Sequence, residues 1–159
     1  MAAIVGTRDI MSHFDKSIVG ESGFTFQIGT LSGNPLAAAA GLKTLEILRR
    51  ENSYTRLKVI GERLMKAASA SLSDHNIAHR IVGEPMLFDV LFTDRAVSNY
   101  RDTLEADSAM SAQFNNKLRA LGIFKSPGKL YPSLALSEED IQATETALKT
   151  AADQLQHNG

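Results

Sequence analysis

The chain has 159 residues, 43% of them hydrophobic and 22% charged, an ordinary balance for one globular domain or one domain and part of another. A formal net charge of −1 and the absence of cysteine give no electrostatic reason to expect nucleic acid or an anionic membrane as partner, and exclude a disulfide framework, a thiol nucleophile and a thiolate metal site. There is neither a basic start followed by an apolar core nor an apolar run approaching ~18 residues, so no signal peptide or membrane span is expected and the cytoplasm is the default compartment.

In chain order, Ala2–Val5 is a short apolar run ending at Gly6 and reads as a buried strand that cannot stand without neighbours. Asp9–Phe14 reads as a helical turn and Lys16–Gly23 as a loop. The stretch Gly29-Thr30-Leu31-Ser32-Gly33-Asn34-Pro35 then delivers the chain into a long helix. Asn34 is a good N-cap, and Pro35 at the first helical position loses only an N–H that would be unpaired anyway. Ala37–Ala40 opens the helix with strong propensity and little bulk. Pro35–Arg50 spans about 16 residues, or about 24 Å.

Ser53 is placed to cap a second helix, in which Leu57, Ile60, Leu64, Ala67-Ala68 and Leu72 follow i, i+3, i+4 spacing until the pattern fades over Ser73–Asn76. The periodicity then changes. Ile77–Val82 and Met86–Phe92, joined by Gly83-Glu84-Pro85, read as an antiparallel pair, with Asp89 interrupting the apolar residues. Met110, Phe114, Leu118 and Leu121 form a helical stripe closed by Gly122. Ile123-Phe124 and Leu130–Leu136 read as further strand. Ser137 with Asp140 approximates a capping box for a last amphipathic helix through Ile141, Leu148, Ala151-Ala152 and Leu155. The predicted class is α+β: a long helical spine followed by a small, mostly antiparallel sheet covered by helices.

The chemistry concentrates at the start of the first long helix. Unpaired amides and the positive end of the helix dipole favour an anion, and the hydroxyls of Thr30 and Ser32 can add donors. The same residues also make a plain helix cap, and from the residues alone both readings stand. The histidines His13, His75, His79 and His157 show no metal-ligand spacing, so no metal site is expected. Of the eight lysines, Lys43, Lys58, Lys66, Lys117 and Lys149 belong to polar helix faces, while Lys125 and Lys129 flank the Ser126-Pro127-Gly128 turn. No nucleophile elbow or Ser-His-Asp arrangement is present.

The run Gly29–Leu42 resembles the loop and helix that follow the active-site lysine segment in class III aminotransferases, the pyridoxal-phosphate enzymes of fold type I, in their glutamate-1-semialdehyde aminomutase-like branch. Ala2–Met11 is similar to the strand, turn and helix before that loop. Lys125–Leu134 and Ser137–Ile141 resemble the family's last strand and last helix. The resemblance covers essentially the whole chain but only the C-terminal part of the family's length. It implies pyridoxal 5′-phosphate as cofactor, with Gly29 and Thr30 binding the phosphate of the opposite subunit at a dimer interface. It also implies a division into 1–34, a remnant of the large cofactor-binding domain, 35–74, linking helices, and 75–159, a small C-terminal domain. The family's Schiff-base lysine falls a few residues before the segment like Ala2–Met11, so this chain is expected to lack it, to hold no catalytic residue and to be inactive alone. A partner is then expected: a second copy or a longer aminotransferase chain, acting on a small amino acid or amine. Lys125 and Lys129 fall near the family's substrate mouth, where a contact to substrate carboxylate competes with a simple surface turn. Many relatives carry His where Leu136 stands, which leaves the substrate-binding residues unassigned. The competing expectation is a non-catalytic α+β dimerisation or binding module, with 35–72 as interface and Gly29–Asn34 as its cap.

Overall fold

The computed structural model describes residues 4–27 and 29–156. The chain divides into two compact units, Met1–Glu51 and Asn52–Gly159, a division that falls inside the stretch 35–74.

The first unit holds three helices among its described residues, α1 (Arg8–Ser12), α2 (Lys16–Gly23) and α3 (Pro35–Leu48). Of the anticipated strand Ala2–Val5, Ala2 and Ala3 lie outside the described residues, and Ile4 and Val5 are not in a strand. The loop expected over Lys16–Gly23 is instead α2, a correction with a local cause. Asp15 caps it, accepting from the Ser17 amide at 2.9 Å and the Ser17 hydroxyl at 2.6 Å, and Gly20 breaks it with φ 71°. Thr25 N then donates to His13 O at 2.7 Å, and His13 Nδ1 lies 2.6 Å from Gly23 O, closing α2 back on α1. In α3, Asn34 Oδ1 accepts from Ala37 N at 3.0 Å with Pro35 in the first turn, as expected. None of the described residues in this unit is buried. Leu36 is 80% and Leu42 67% exposed.

The second unit carries its own core. Its elements are α4 (Ser53–Asp74), the hairpin β1 (Arg80–Glu84) and β2 (Leu87–Leu91), then α5 (Tyr100–Thr103), α6 (Ser108–Ala120) and α7 (Glu138–Gln156). Helix α4 packs against α7 and against the hairpin, and α6 packs on α7. The α4 stripe Leu57, Ile60, Leu64, Ala68 and Leu72 is buried, as its spacing predicts. It shares the core with Ile141, Leu148, Ala151 and Leu155 of α7, Phe88 and Val90 of β2, and Phe114 and Leu118 of α6. Phe92 and Phe114 meet edge to face with centroids 5.5 Å apart. Arg63 ties α4 to α7, donating through Nε and Nη2 to both Glu145 oxygens at 2.7 and 2.8 Å and through Nη1 to Glu138 at 2.7 Å.

The two-stranded sheet is antiparallel, running from Arg80 opposite Leu91 to Glu84 opposite Leu87. Helix α4 passes close to its turn at Gly61, where any Cβ would run into the Pro85 carbonyl. Helices α4 and α6 stop in the same way. Ile77 N donates to Leu72 O and Ile123 N to Leu118 O, each at 2.9 Å. The left-handed residues that make this closure are Asn76 at φ 55° and Gly122 at φ 87°. The strands expected over Ile123-Phe124 and Leu130–Leu136 do not form, a second correction. Of these residues only Leu130 pairs, in an isolated bridge with Phe88, because Pro132 has no N–H to give and Leu136 N turns back to Ser133 O. Ser53 is not the cap of α4 but its first residue, after Asn52 at φ 64°. The Ser137–Asp140 box forms in both directions, at 2.9 and 3.2 Å.

This packing makes the glycine testable. Gly61→Ala gains helix propensity but must displace the hairpin turn, so urea unfolding should show a net loss of about 1–3 kcal/mol; an unchanged or raised midpoint would contradict the close approach. The end of α4 carries a pH dependence. His75 Nδ1 lies 2.9 Å from Ser71 O and Nε2 lies 3.3 Å from Asp153 Oδ1. Only the imidazolium donates to both, and the Ser71 contact first, then Asp153 and Asp74, raises the pKa above its ordinary 6.5 against desolvation. A raised folded-state pKa gives stability that is full below about 6.5 and is lost as pH rises through the folded value. The urea midpoint should therefore fall as pH rises through that range, and His75→Asn should flatten this step; an equally steep step in the variant would assign it elsewhere.

Candidate functional site

The turn before α3 is built from its own backbone. Ser32 N donates to Gly29 O at 2.8 Å and Asn34 N to Leu31 O at 3.1 Å, with Gly33 at φ 72° completing the reversal. Ser32 folds over Gly29 so closely that a Cβ at Gly29 would run into the Ser32 hydroxyl. Gly29 and Thr30 are both exposed. Their amides, and the Thr30 hydroxyl, have no partner among the described residues. These donors stand a few residues ahead of a helix of 14 residues, whose dipole adds positive potential at that end. The residues therefore fit an anionic group: spare donors among the described residues and no carboxylate in the turn. An aromatic-lined cleft of about 600 Å³ opens beside it, with Phe14, Phe24, Phe26 and Ser32 in its wall.

The second unit contains a different cluster. Lys125 Nζ donates to Ser126 O at 2.8 Å and to Pro127 O at 3.3 Å. Asn115 of α6 donates to the same Pro127 carbonyl at 2.7 Å, and Lys129 N donates to Ser126 Oγ at 3.2 Å. Lys125 is itself half-buried, at the edge of a turn whose residues Ser126 to Lys129 are exposed. Burial pushes its pKa down, opposed by the charge of Asp89. Burial likewise pushes the Asp89 carboxyl up, opposed by its Val90 N–H contact and by Lys125 and Lys129. In the sequence Asp89 figures only as an interruption of a strand, with no role attached. An acid in an otherwise apolar β run is the signal that could have found it.

The histidines stay apart in separate local bonds. His79 Nε2 is 2.9 Å from Ser69 Oγ, while His13 and His75 make the contacts above and His157 lies outside the described residues. Among the described residues no group of His, Asp or Glu could hold a metal ion, and no helix is long and apolar enough to cross a membrane.

Known proteins share both the sequence and the fold. Residues 1–152 match the family model for aminotransferase class-III. Over 145 residues the chain is 34% identical to glutamate-1-semialdehyde 2,1-aminomutase of Campylobacter hominis, covering 89% of this chain and 31% of that protein. An omega-transaminase from Sphaerobacter thermophilus shares the fold with TM-score 0.79 at 23% identity, over 94% of this chain and 34% of that one. A β-phenylalanine aminotransferase from Variovorax paradoxus does so with TM-score 0.72 at 25% identity, over the same 94% and 34%. The chain thus spans about a third of the length of these proteins. A transaminase solved with pyridoxal phosphate bound also matches, with TM-score 0.77 at 23% identity over 97% of this chain and 35% of that one, and pyridoxal phosphate is the family's cofactor. With nearly every residue inside the family match, this chain belongs to the class-III aminotransferases.

Proposed function

We propose that this chain supplies the phosphate-binding turn and the small domain of a pyridoxal-phosphate-dependent amino-group transferase or aminomutase. The observation that carries the reading is the turn before α3, whose Gly29 and Thr30 donors are unused among the described residues and lie close to a helix start. Pyridoxal phosphate supplies, when bound, the carbonyl and electron-withdrawing ring on which an amino group is exchanged. Gly29 N–H and Thr30 N–H and Oγ1–H donate to phosphate oxygens. Asn34 holds the first turn of α3 by accepting from Ala37 N. Ser32, closed over Gly29, fixes the direction of the turn.

On this reading Gly29 and Thr30 contribute phosphate contacts, and the imine-forming lysine of the family's chemistry is not assigned to any of the eight lysines here. The chain acts with a second chain, a copy or a longer class-III protein, to whose site Thr30 contributes. The exposed apolar residues of the first unit, among them Leu31, Leu36, Leu42 and Phe26, support this, since monomers rarely leave so many large apolar groups uncovered. A cytoplasmic location is the matching compartment. The amino donor and acceptor are small amines or amino acids.

Equilibrium dialysis of pyridoxal phosphate, run beside pyridoxal without the phosphate, tests the assignment. The phosphorylated form should bind better, and Thr30→Val should weaken it by about tenfold, the loss of one charge-assisted hydrogen bond. Asn34→Ala should cost about 1 kcal/mol of α3 stability through its cap. Thr30→Val should leave stability within about 0.5 kcal/mol, because its hydroxyl has no partner among the described residues. Equal binding of the two vitamers, or a Thr30→Val loss seen in stability rather than binding, would leave Thr30 a structural residue only.

A further inference from the structure

Burial is divided unevenly along the chain. The core cluster, from Ile60 to Leu155, lies wholly in the second unit, whereas no described residue before Ser53 is buried. The first unit ends in a pair of arginines. Helix α3 stops at Leu48, Arg49 N donates to Leu45 O at 3.0 Å and Arg50 N to Ile47 O at 3.2 Å, and Asn52 at φ 64° breaks the run before α4. Arg49, Arg50, Glu51 and Asn52 are all exposed. Glu46 pairs across this last turn with Lys43 at 2.8 Å and Arg50 at 3.7 Å, but these are exposed ion pairs and hold little. Beyond Asn52 the chain is held at once. Ser53 and Leu57 are buried, and Arg56 Nη2 donates to Leu136 O at 3.2 Å. An endopeptidase takes several residues in extended form, so it cuts where unwinding is cheap. The end of α3 unwinds without exposing a buried side chain, and the start of α4 does not.

We propose that Arg49-Arg50 is a processing site for endopeptidases that cut after basic residues, and that the cut leaves the second unit as a folded module without the 29–34 turn. Hydrolysis breaks the peptide C–N bond after either arginine. Water gives its hydroxyl to the arginine carbonyl carbon and a proton to the new amino terminus, with no oxidation or reduction. Arg56 and Lys58 are exposed bases too, but they stand on α4 beside the buried Leu57. Exposure alone does not choose between the two pairs; the cost of unwinding does. Arg8, Lys16 and Lys43 share the cheap unwinding of the first unit, so trimming from any of them converges on the same end. The Gly29–Thr30 turn is detached whether or not it binds an anion, which makes this inference independent of the phosphate reading.

The test is limited trypsin digestion of the whole chain under native conditions, with fragments identified by intact mass. A persistent fragment should begin at Arg50 or Glu51, and once purified it should still unfold cooperatively in urea. Changing Arg49→Gln and Arg50→Gln together should move its start to Thr44, after Lys43. Leu64→Ala loosens the core of the second unit, so it should speed cutting after Arg56 and Lys58 several-fold and leave the rate at Arg49-Arg50 unchanged. An intact chain that resists trypsin, or first cuts after Arg56 or beyond, would overturn the proposal. So would a 51–159 fragment with no cooperative transition, or an Arg49-Arg50 rate that rises in step with Leu64→Ala, since either result would make the two units one cooperative structure.

Discussion

Where α4 passes the β1–β2 turn, Gly61 leaves no side chain between the helix backbone and the Pro85 carbonyl. That approach sets the depth at which the hairpin sits on the helix. It lets Phe88 and Val90 reach the same core as Leu64, Ala68 and Leu72, and the Arg63 fork to Glu145 then fixes α7 alongside. Everything in the second unit that carries chemistry hangs on this frame. Asp89 comes up to the Lys125 turn because β2 holds it between the buried Phe88 and Val90, and because Leu130 pairs with Phe88 at the far end of that turn.

The first unit is organised by local bonds alone. Its turns and caps close through Asp15, Asn34 and the 29–34 reversal, without one buried side chain among its described residues. Backbone geometry of that kind can hold donors in place for an anion. It cannot supply the burial on which tertiary stability rests. The contrast between a unit with a core and a unit without one supports the proposal that this chain contributes to a larger site.

Much of this is legible in the residues. The α4 stripe, the last helix and the hairpin all announce themselves through period, and Asn34-Pro35 marks the start of α3 by cap chemistry. The misses have identifiable causes. Helix α2 contains Gly20 and only a short apolar pair, so its single strong signal is Asp15 outside it. Leu130, Pro132, Leu134 and Leu136 alternate as a strand does, yet alternation cannot report that Pro132 has no donor and that the chain turns at Ser133. Gly29 and Thr30 are nameable as a candidate anion cradle, but glycine and a hydroxyl before a helix make a plain cap equally well, and only the family resemblance separates the two readings in the sequence. The Asp89–Lys125 neighbourhood is not, since it joins a strand and a turn far apart in sequence and exists only once β2 is seated on α4.

The central claim is that the Gly29–Thr30 turn is an anion site and not only a cap. Titrating inorganic phosphate into the isotope-labelled chain and following its backbone amides by NMR addresses that claim directly. The account predicts saturable shifts led by the Gly29 and Thr30 amides, with the Lys125 turn following only weakly. Shifts scattered over surface lysines, with those two amides unmoved at saturating phosphate, would contradict it and leave the turn as the cap of α3.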